Sequence, residues 1–147
     1  MRVLVISPGK AHSLELRNAI GEYETRLQNA LPIEWSFPTP SSKEQEGIAI
    51  LKLIKQDDYV VLLDERGKDV DSPALATLLD IRLNEGTKRL VFVIGGAFGV
   101  SKEVTERAQV ALKLSSLVFP HMLVRLILVE QLYRAWSIRT GGKYHHA

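Results

Sequence analysis

No cysteine occurs among the 147 residues. That excludes a disulfide framework, a thiolate nucleophile and cysteine-held zinc, and it fits a reducing compartment. Histidine is scarce. His12, His121, His145 and His146 are the four present, and none shares a helix face with a carboxylate at metal-ligand spacing, so no metal site is expected. Long hydrophobic runs are missing as well. No stretch approaches the roughly 20 residues of a membrane span, and the apolar start Val3-Leu4-Val5-Ile6 is too short for a signal peptide. A cytoplasmic protein with no membrane partner is the expectation. Neither charge sign dominates: 19 basic against 17 acidic residues leave +2. The pI of about 8.9 points only weakly to nucleic acid. There is no repeat, low-complexity tract or long linker, so one domain is expected over 1–147, large enough to bury a core.

Against those absences stand short β-rich runs: Val3 to Ile6, Ile33 to Phe37, Tyr59 to Leu63 and Leu90 to Ile94, with Val110 to Leu114 as a possible fifth. The first, third and fourth are continuously apolar, as in parallel strands buried on both faces. Helical patterns lie between them. Leu16, Ile20, Tyr23 and Leu27 form one amphipathic stripe. Ser42 with Gln45 reads as a capping box opening a helix to about Lys55. Ser72-Pro73 reads as a cap plus first-turn proline, continued by Leu75, Leu78, Leu79 and Arg82 and closed by Gly86. Ser101 caps a short helix through Ala108, and the last helix runs from about His121 to Thr140. Strict β-α alternation predicts an α/β fold with a mainly parallel sheet covered by helices.

Three segments leave strand ends, where ligands bind in open parallel sheets. Gly95-Gly96-Ala97-Phe98-Gly99 lets backbone N–H groups approach a ligand. It fits neither the dinucleotide fingerprint nor the phosphate loop, and a turn serving geometry alone is equally open. Leu63-Asp64-Glu65-Arg66-Gly67-Lys68 reads as a charged loop, either ligand-facing or merely solvated. Leu114 to Pro120 carries two serines and a proline into the last helix. Convergence of all three would make a pocket. In the last helix, Val124, Ile127, Leu128 and Leu132 read as core; Arg125, Glu130, Tyr133, Arg134 and Trp136 do not. A local Glu130–Arg134 pair at i, i+4 on a half-exposed face accounts for part of that. His121 reads as structural or capping, His12 as surface, and His145-His146 as tail.

Taken together, certain pieces resemble the SPOUT superfamily of ribosomal RNA pseudouridine N3-methyltransferases. They are Glu22-Tyr23, Arg26-Leu27, Glu46-Gly47, Leu62 to Lys68, Ile94-Gly95-Gly96 with Gly99, Leu114-Ser115, Phe119-Pro120-His121 with Arg125, Glu130 to Ala135, and Tyr144-His145. The C-terminal pieces are the specific ones. The resemblance implies a C-terminal trefoil knot, which periodicity cannot show and which the general rule against knots would exclude. It implies that S-adenosylmethionine is held by Leu63, Gly95 and the run Leu114, Ser115, Ser116, Leu117, Val118 and Phe119, with Gly96 and Gly99 shaping the loop. It implies a homodimer with the last helix near the partner, and a substrate in large-subunit ribosomal RNA on the assembled ribosome. Arg134 would stabilise the anion and place the substrate; Tyr144 and His145 would close over the base, His145 as a candidate proton acceptor. Arg2, Lys10, Arg17, Lys68, Arg134, Arg139 and Lys143 would contact phosphate. Rival readings are a non-catalytic ribosome- or RNA-binding protein on the same fold, separable by affinity for the methyl donor, and a flavodoxin-like binder. A hydrolase would need a nucleophile elbow that is missing.

Overall fold

A computed structural model describes residues 1–146; the end of the His146-Ala147 tail therefore lies outside the described residues. Strands and helices alternate in chain order: β1 Arg2–Ile6, α1 Leu14–Leu27, β2 Ile33–Ser36, α2 Lys43–Leu53, β3 Tyr59–Asp69, α3 Ser72–Asn84, β4 Arg89–Ile94, α4 Lys102–Arg107, β5 Val110–Lys113 and α5 His121–Arg139. The strands form a single sheet in the order β2-β1-β4-β3-β5, and each neighbouring pair is parallel.

Period-2 alternation explains why the central strands are apolar throughout. Val3, Val5, Leu90, Phe92, Ile94 and Val61 face one core with Leu27, Leu75, Leu79, Leu128 and Leu132 of α1, α3 and α5. Leu4, Ile6, Val91, Val93, Val60 and Leu62 face the other with Ile50 of α2 and Val104 of α4. Each fully buried Leu, Ile or Phe there contributes roughly 1.5–3 kcal/mol through surface removed from water.

Local signals set the helix starts. Ser42 caps α2, its Oγ accepting from Gln45 N at 3.1 Å. Ser101 caps α4 through Val104 N. In α3 the cap is Asp71 rather than Ser72: Asp71 Oδ1 accepts from Ala74 N at 2.8 Å. The aspartate wins because Ser72 is one residue too far in, and its hydroxyl instead donates to Gln131 Oε1 of α5 at 2.6 Å.

Two other expectations change. The charged segment after Leu63 is no loop beyond a strand. β3 runs on to Asp69, and Leu112 of β5 pairs with both Leu63 and Lys68, so the residues between bulge out. Gly67 permits this, since a Cβ there would sit 2.6 Å from the Ala111 carbonyl carbon. In α5, Val124 and Ile127 are only half-buried, while Arg125 is fully buried. Its place three and seven residues before Leu128 and Leu132 puts it on the core stripe. Arg125 Nε donates to Ser7 Oγ (2.9 Å) and Nη1 to Lys10 O (2.8 Å), and the guanidinium stacks 4.6 Å from the Phe37 ring. It thereby ties the segment after β1 to the start of α5. None of its hydrogen-bond partners is a carboxylate, and burial pushes its pKa down.

Candidate functional site

Sheet order decides where the chemistry-bearing segments meet. β4, β3 and β5 are consecutive neighbours, and parallel pairing puts their carboxyl ends side by side. The β3 bulge, the glycine loop after β4 and the serine loop after β5 therefore frame one cavity of about 560 Å³. Leu63, Gly95, Gly99, Leu114, Ser115, Leu117, Val118 and Phe119 line it. Gly96 and Ser116 do not. Gly96 lies behind the loop, where a Cβ would meet Glu46 Oε1 at 2.5 Å, and Ser116 points outward as an exposed residue.

Both loops are braced by hydrogen bonds within themselves. Gly99 N–H donates to Gly96 O at 3.0 Å, closing a tight turn, and Gly99 has φ +83°, a conformation that favours glycine. Ser115 Oγ accepts from Leu117 N at 2.9 Å, fixing the start of the serine loop. The rim is unusual for a surface. Phe98, Leu117 and Val118 are 80%, 72% and 85% exposed, three apolar side chains standing in water around one opening. Such clustering marks a place where a ligand or partner makes contact. At the bulge, Arg66 donates to Asp64 through its backbone N–H (2.8 Å) and its side chain (3.2 Å). Those hydrogen bonds hold the Asp64 carboxyl below its usual range. Lys43, Arg66 and His121 also border the cavity. Sequence reasoning missed Lys43, which leads α2 and reaches the site only through tertiary packing.

The C-terminal residues gather elsewhere. Arg134 donates to Glu130 Oε1 from Nε (3.0 Å) and Nη2 (2.6 Å), and its guanidinium lies 4.7 Å from the Tyr144 ring. Tyr144 donates to the same Glu130 oxygen at 3.1 Å and meets the Tyr23 hydroxyl at 3.3 Å. The contact with Tyr23, burial and Glu130 raise the Tyr144 pKa. The Glu130 carboxylate likewise raises that of Arg134. Arg134 Nη1 lies 3.2 Å from His145 Nδ1. Arginine has only donors, so Nδ1 accepts and the ring proton sits on Nε2. Arg26 lies over the Tyr23 and Tyr133 rings at 5.5 and 5.3 Å. Arg134, Tyr144 and His145 are thus brought to one another but not to the cavity. Glu130 is the hub that sequence reasoning read only as a helix pair.

Of the basic residues named for phosphate, Arg2 pairs with Glu34 and Arg139 with Asp80, whereas Lys10, Arg17, Lys68 and Lys143 are exposed. His12 is half-buried rather than on the surface, edge-on to Trp35 at 4.4 Å. Among the described residues no group of three or more His, Cys, Asp or Glu could hold a metal ion, and no helix is long and apolar enough to cross a membrane.

Relatives match this chain over nearly its whole length. A chain of Geotalea daltonii named ribosomal RNA large subunit methyltransferase H is 39% identical over 153 residues, covering 99% of this chain and 100% of that one. A protein of the same name from Parabacteroides distasonis is 38% identical over 156 residues, covering 99% of each chain. An Arabidopsis thaliana protein, provisionally named an RNA methyltransferase, is 40% identical over 153 residues, covering 98% of this chain and 79% of its own length. The family model described as "Predicted SPOUT methyltransferase" matches residues 1–145. That match takes in both the cavity loops and the Arg134 cluster, and the chain belongs to the SPOUT methyltransferase family.

Proposed function

We propose that this protein transfers a methyl group from S-adenosylmethionine to N3 of a pseudouridine in large-subunit ribosomal RNA on the assembled ribosome, acting in the cytoplasm as a homodimer. The observation that carries the reading is the cavity at the carboxyl ends of β3, β4 and β5. At about 560 Å³ it falls in the range of roughly 300–1,000 Å³ typical of small-molecule sites. Its wall mixes glycine backbone with apolar side chains, which suits an adenosyl group held by main-chain hydrogen bonds. Leu63, Gly95, Leu114, Ser115, Leu117, Val118 and Phe119 would hold the donor, with Gly96 and Gly99 shaping the loop. Bound donor supplies a sulfonium methyl that needs no further activation. The β4-to-β5 connection crosses β3 in the sheet, and there we place the trefoil knot.

The separation of Arg134 from the cavity along α5 supports the homodimer reading. Arg134 lies ten residues after Val124, the last α5 residue that lines the cavity, about 15 Å along the axis at roughly 1.5 Å per residue. In this reading a second copy brings its own Arg134 cluster to the base seated at the cavity. The exposed Phe98, Leu117 and Val118 suit burial by donor and partner. Forming the new N–CH3 bond requires N3 to lose its proton. The Arg134 guanidinium would stabilise the imide anion, and Tyr144 and His145 would close over the base. His145 can take a proton only after its Nδ1 leaves Arg134, so a base role requires substrate to rearrange the cluster. Orientation is the protein's main contribution, worth up to about 7–11 kcal/mol in well-aligned systems.

Ribosomes lacking the modification, incubated with protein and tritiated donor, should gain label on a single pseudouridine of the large-subunit RNA, and free RNA far less. Donor binding without any transfer would favour the non-catalytic RNA-binding alternative. Absence of donor binding would remove the cavity from the proposal.

A further inference from the structure

Behind the glycine loop lies a contact that no cavity residue explains. Glu46, in the first turn of α2, is 7% exposed, and its Oε2 accepts from Ser41 N at 2.9 Å. The other oxygen faces Gly96 so closely that a Cβ there would lie 2.5 Å from Oε1 and 3.2 Å from Cδ. The next residue repeats the pattern on the other limb of the loop. A Cβ on Gly47 would run into the side chain of Ser101, the buried cap of α4. Two consecutive residues of α2 thus abut both limbs of a loop whose Gly95, Phe98, Gly99 and Val100 line the cavity.

We propose that Glu46 is a positioning residue for the methyl donor, its carboxylate setting the path of the Gly95–Gly99 backbone through direct contact with Gly96. The inference rests on reading the cavity as the donor site. The physical reason is preorganisation. A glycine turn is entropically free to wander, and a site built on loops is only as well defined as the side chains that back it. Glu46 touches neither donor nor substrate. It acts through the loop, so its effect belongs in donor affinity and KM for the donor rather than in kcat at saturation.

A double-mutant cycle read by calorimetric titration with S-adenosylmethionine tests this. Gly96→Ala pushes a methyl group at the carboxylate and should weaken donor binding on the order of tenfold by disturbing a preorganised loop. Glu46→Asp shortens the strut by one methylene; combined with Gly96→Ala it makes room for the methyl and should restore affinity to within about threefold of wild type. In Glu46→Asp the loss should appear as a raised KM for the donor, with kcat at saturating donor close to wild type. Unchanged affinity in Gly96→Ala, or a double variant no better than the single, overturns the proposal. If Gly96→Ala fails to fold, Glu46→Asp alone decides: about fivefold weaker donor binding supports it, by the same loss of preorganisation, and wild-type affinity overturns it. Wild-type protein that binds no donor would instead overturn the donor-site reading, and this inference with it.

Discussion

The two ends of the sheet are built on opposite rules. At the amino end, Asp58 is buried and Arg89 grips both its carboxylate oxygens while donating to Leu53 O at 2.8 Å. Lys55 N adds a 2.7 Å bond to the same carboxylate. Arg107 reaches over to the carbonyls of Lys55, Gln56 and Asp58, and Gln109 Oε1 takes the Val60 N–H at 2.7 Å. Polar groups meet one another there, and strands and helix ends are tied together. At the carboxyl end, glycines replace side chains and three apolar residues stand in water around a cavity. One end spends its residues on closing the fold, the other on leaving room. Stability and donor binding should therefore respond to different mutations.

The sharpest way to break that contrast is Asp58→Ala. It strands the Arg89 guanidinium at a largely buried position, and removing one partner of such a pair costs about 3–5 kcal/mol. Urea denaturation should show that loss, while kcat per folded molecule stays at the wild-type value; a matching fall in kcat would mean that the ends are coupled. The pair also has a pH signature. Burial raises the Asp58 pKa, but the hydrogen bonds from Arg89 and Lys55 outweigh it and leave the group below its ordinary value. A depressed carboxylate stabilises the fold above its unfolded pKa of roughly 3.9, and the contribution is lost as pH falls through the folded value. Asp58→Ala should lack that acid-side loss.

Arg134→Ala is the converse experiment. Its ion pair with Glu130 is partly exposed, so stability should change by about 1 kcal/mol or less. Transfer should fall by about 10²–10³-fold, the usual consequence of losing one donor to a developing anion. Donor affinity should not move, because Arg134 is absent from the cavity wall. A variant that transfers normally on ribosomes would leave Arg134 as helix decoration.

How much of this was legible in the residues depends on the range of the interaction. The parallel sheet could be read from Val3 to Ile6 and Leu90 to Ile94, because burial on both faces writes a continuous apolar run. Helix ends could be read from Ser42, Ser101 and Gly86. The Asp71 cap is not legible because two neighbouring residues both carry cap chemistry and only the backbone chooses. The bulge after Leu63 is not legible because a charged stretch looks the same in a turn as in a strand paired on one side; Gly67 is the one signal. Arg125 stands out in the sequence as a charge in the last helix yet cannot be placed from it, since its partners Ser7 and Lys10 are more than a hundred residues away. Nothing in periodicity could have shown that Tyr23 and Tyr144 meet, or that Glu46 stands behind Gly96. Those contacts depend on which elements the fold makes neighbours.

His12 offers the finest probe, because it sits between the two regimes, at the carboxyl end but packed rather than open. Its Nδ1 lies 3.3 Å from Arg125 Nη1, and its ring is 5.2 Å from that of Phe37. Burial and the Arg125 charge push its pKa below the ordinary value. The neutral ring accepts from Arg125; a protonated ring would set two cations against each other. Because the folded value is depressed, the unfolded chain takes up the proton first. The contribution of His12 is therefore complete above about pH 6.5 and is lost as pH falls toward the folded value. His12→Gln retains an acceptor for Arg125 without titrating. Between pH 7 and 5 the wild type should lose more stability than His12→Gln, by about 1 kcal/mol or less once partial solvent exposure is discounted. Parallel pH profiles for the two proteins would mean that His12 exchanges protons with water as freely folded as unfolded, and that the region after β1 is as open as the cavity beside it.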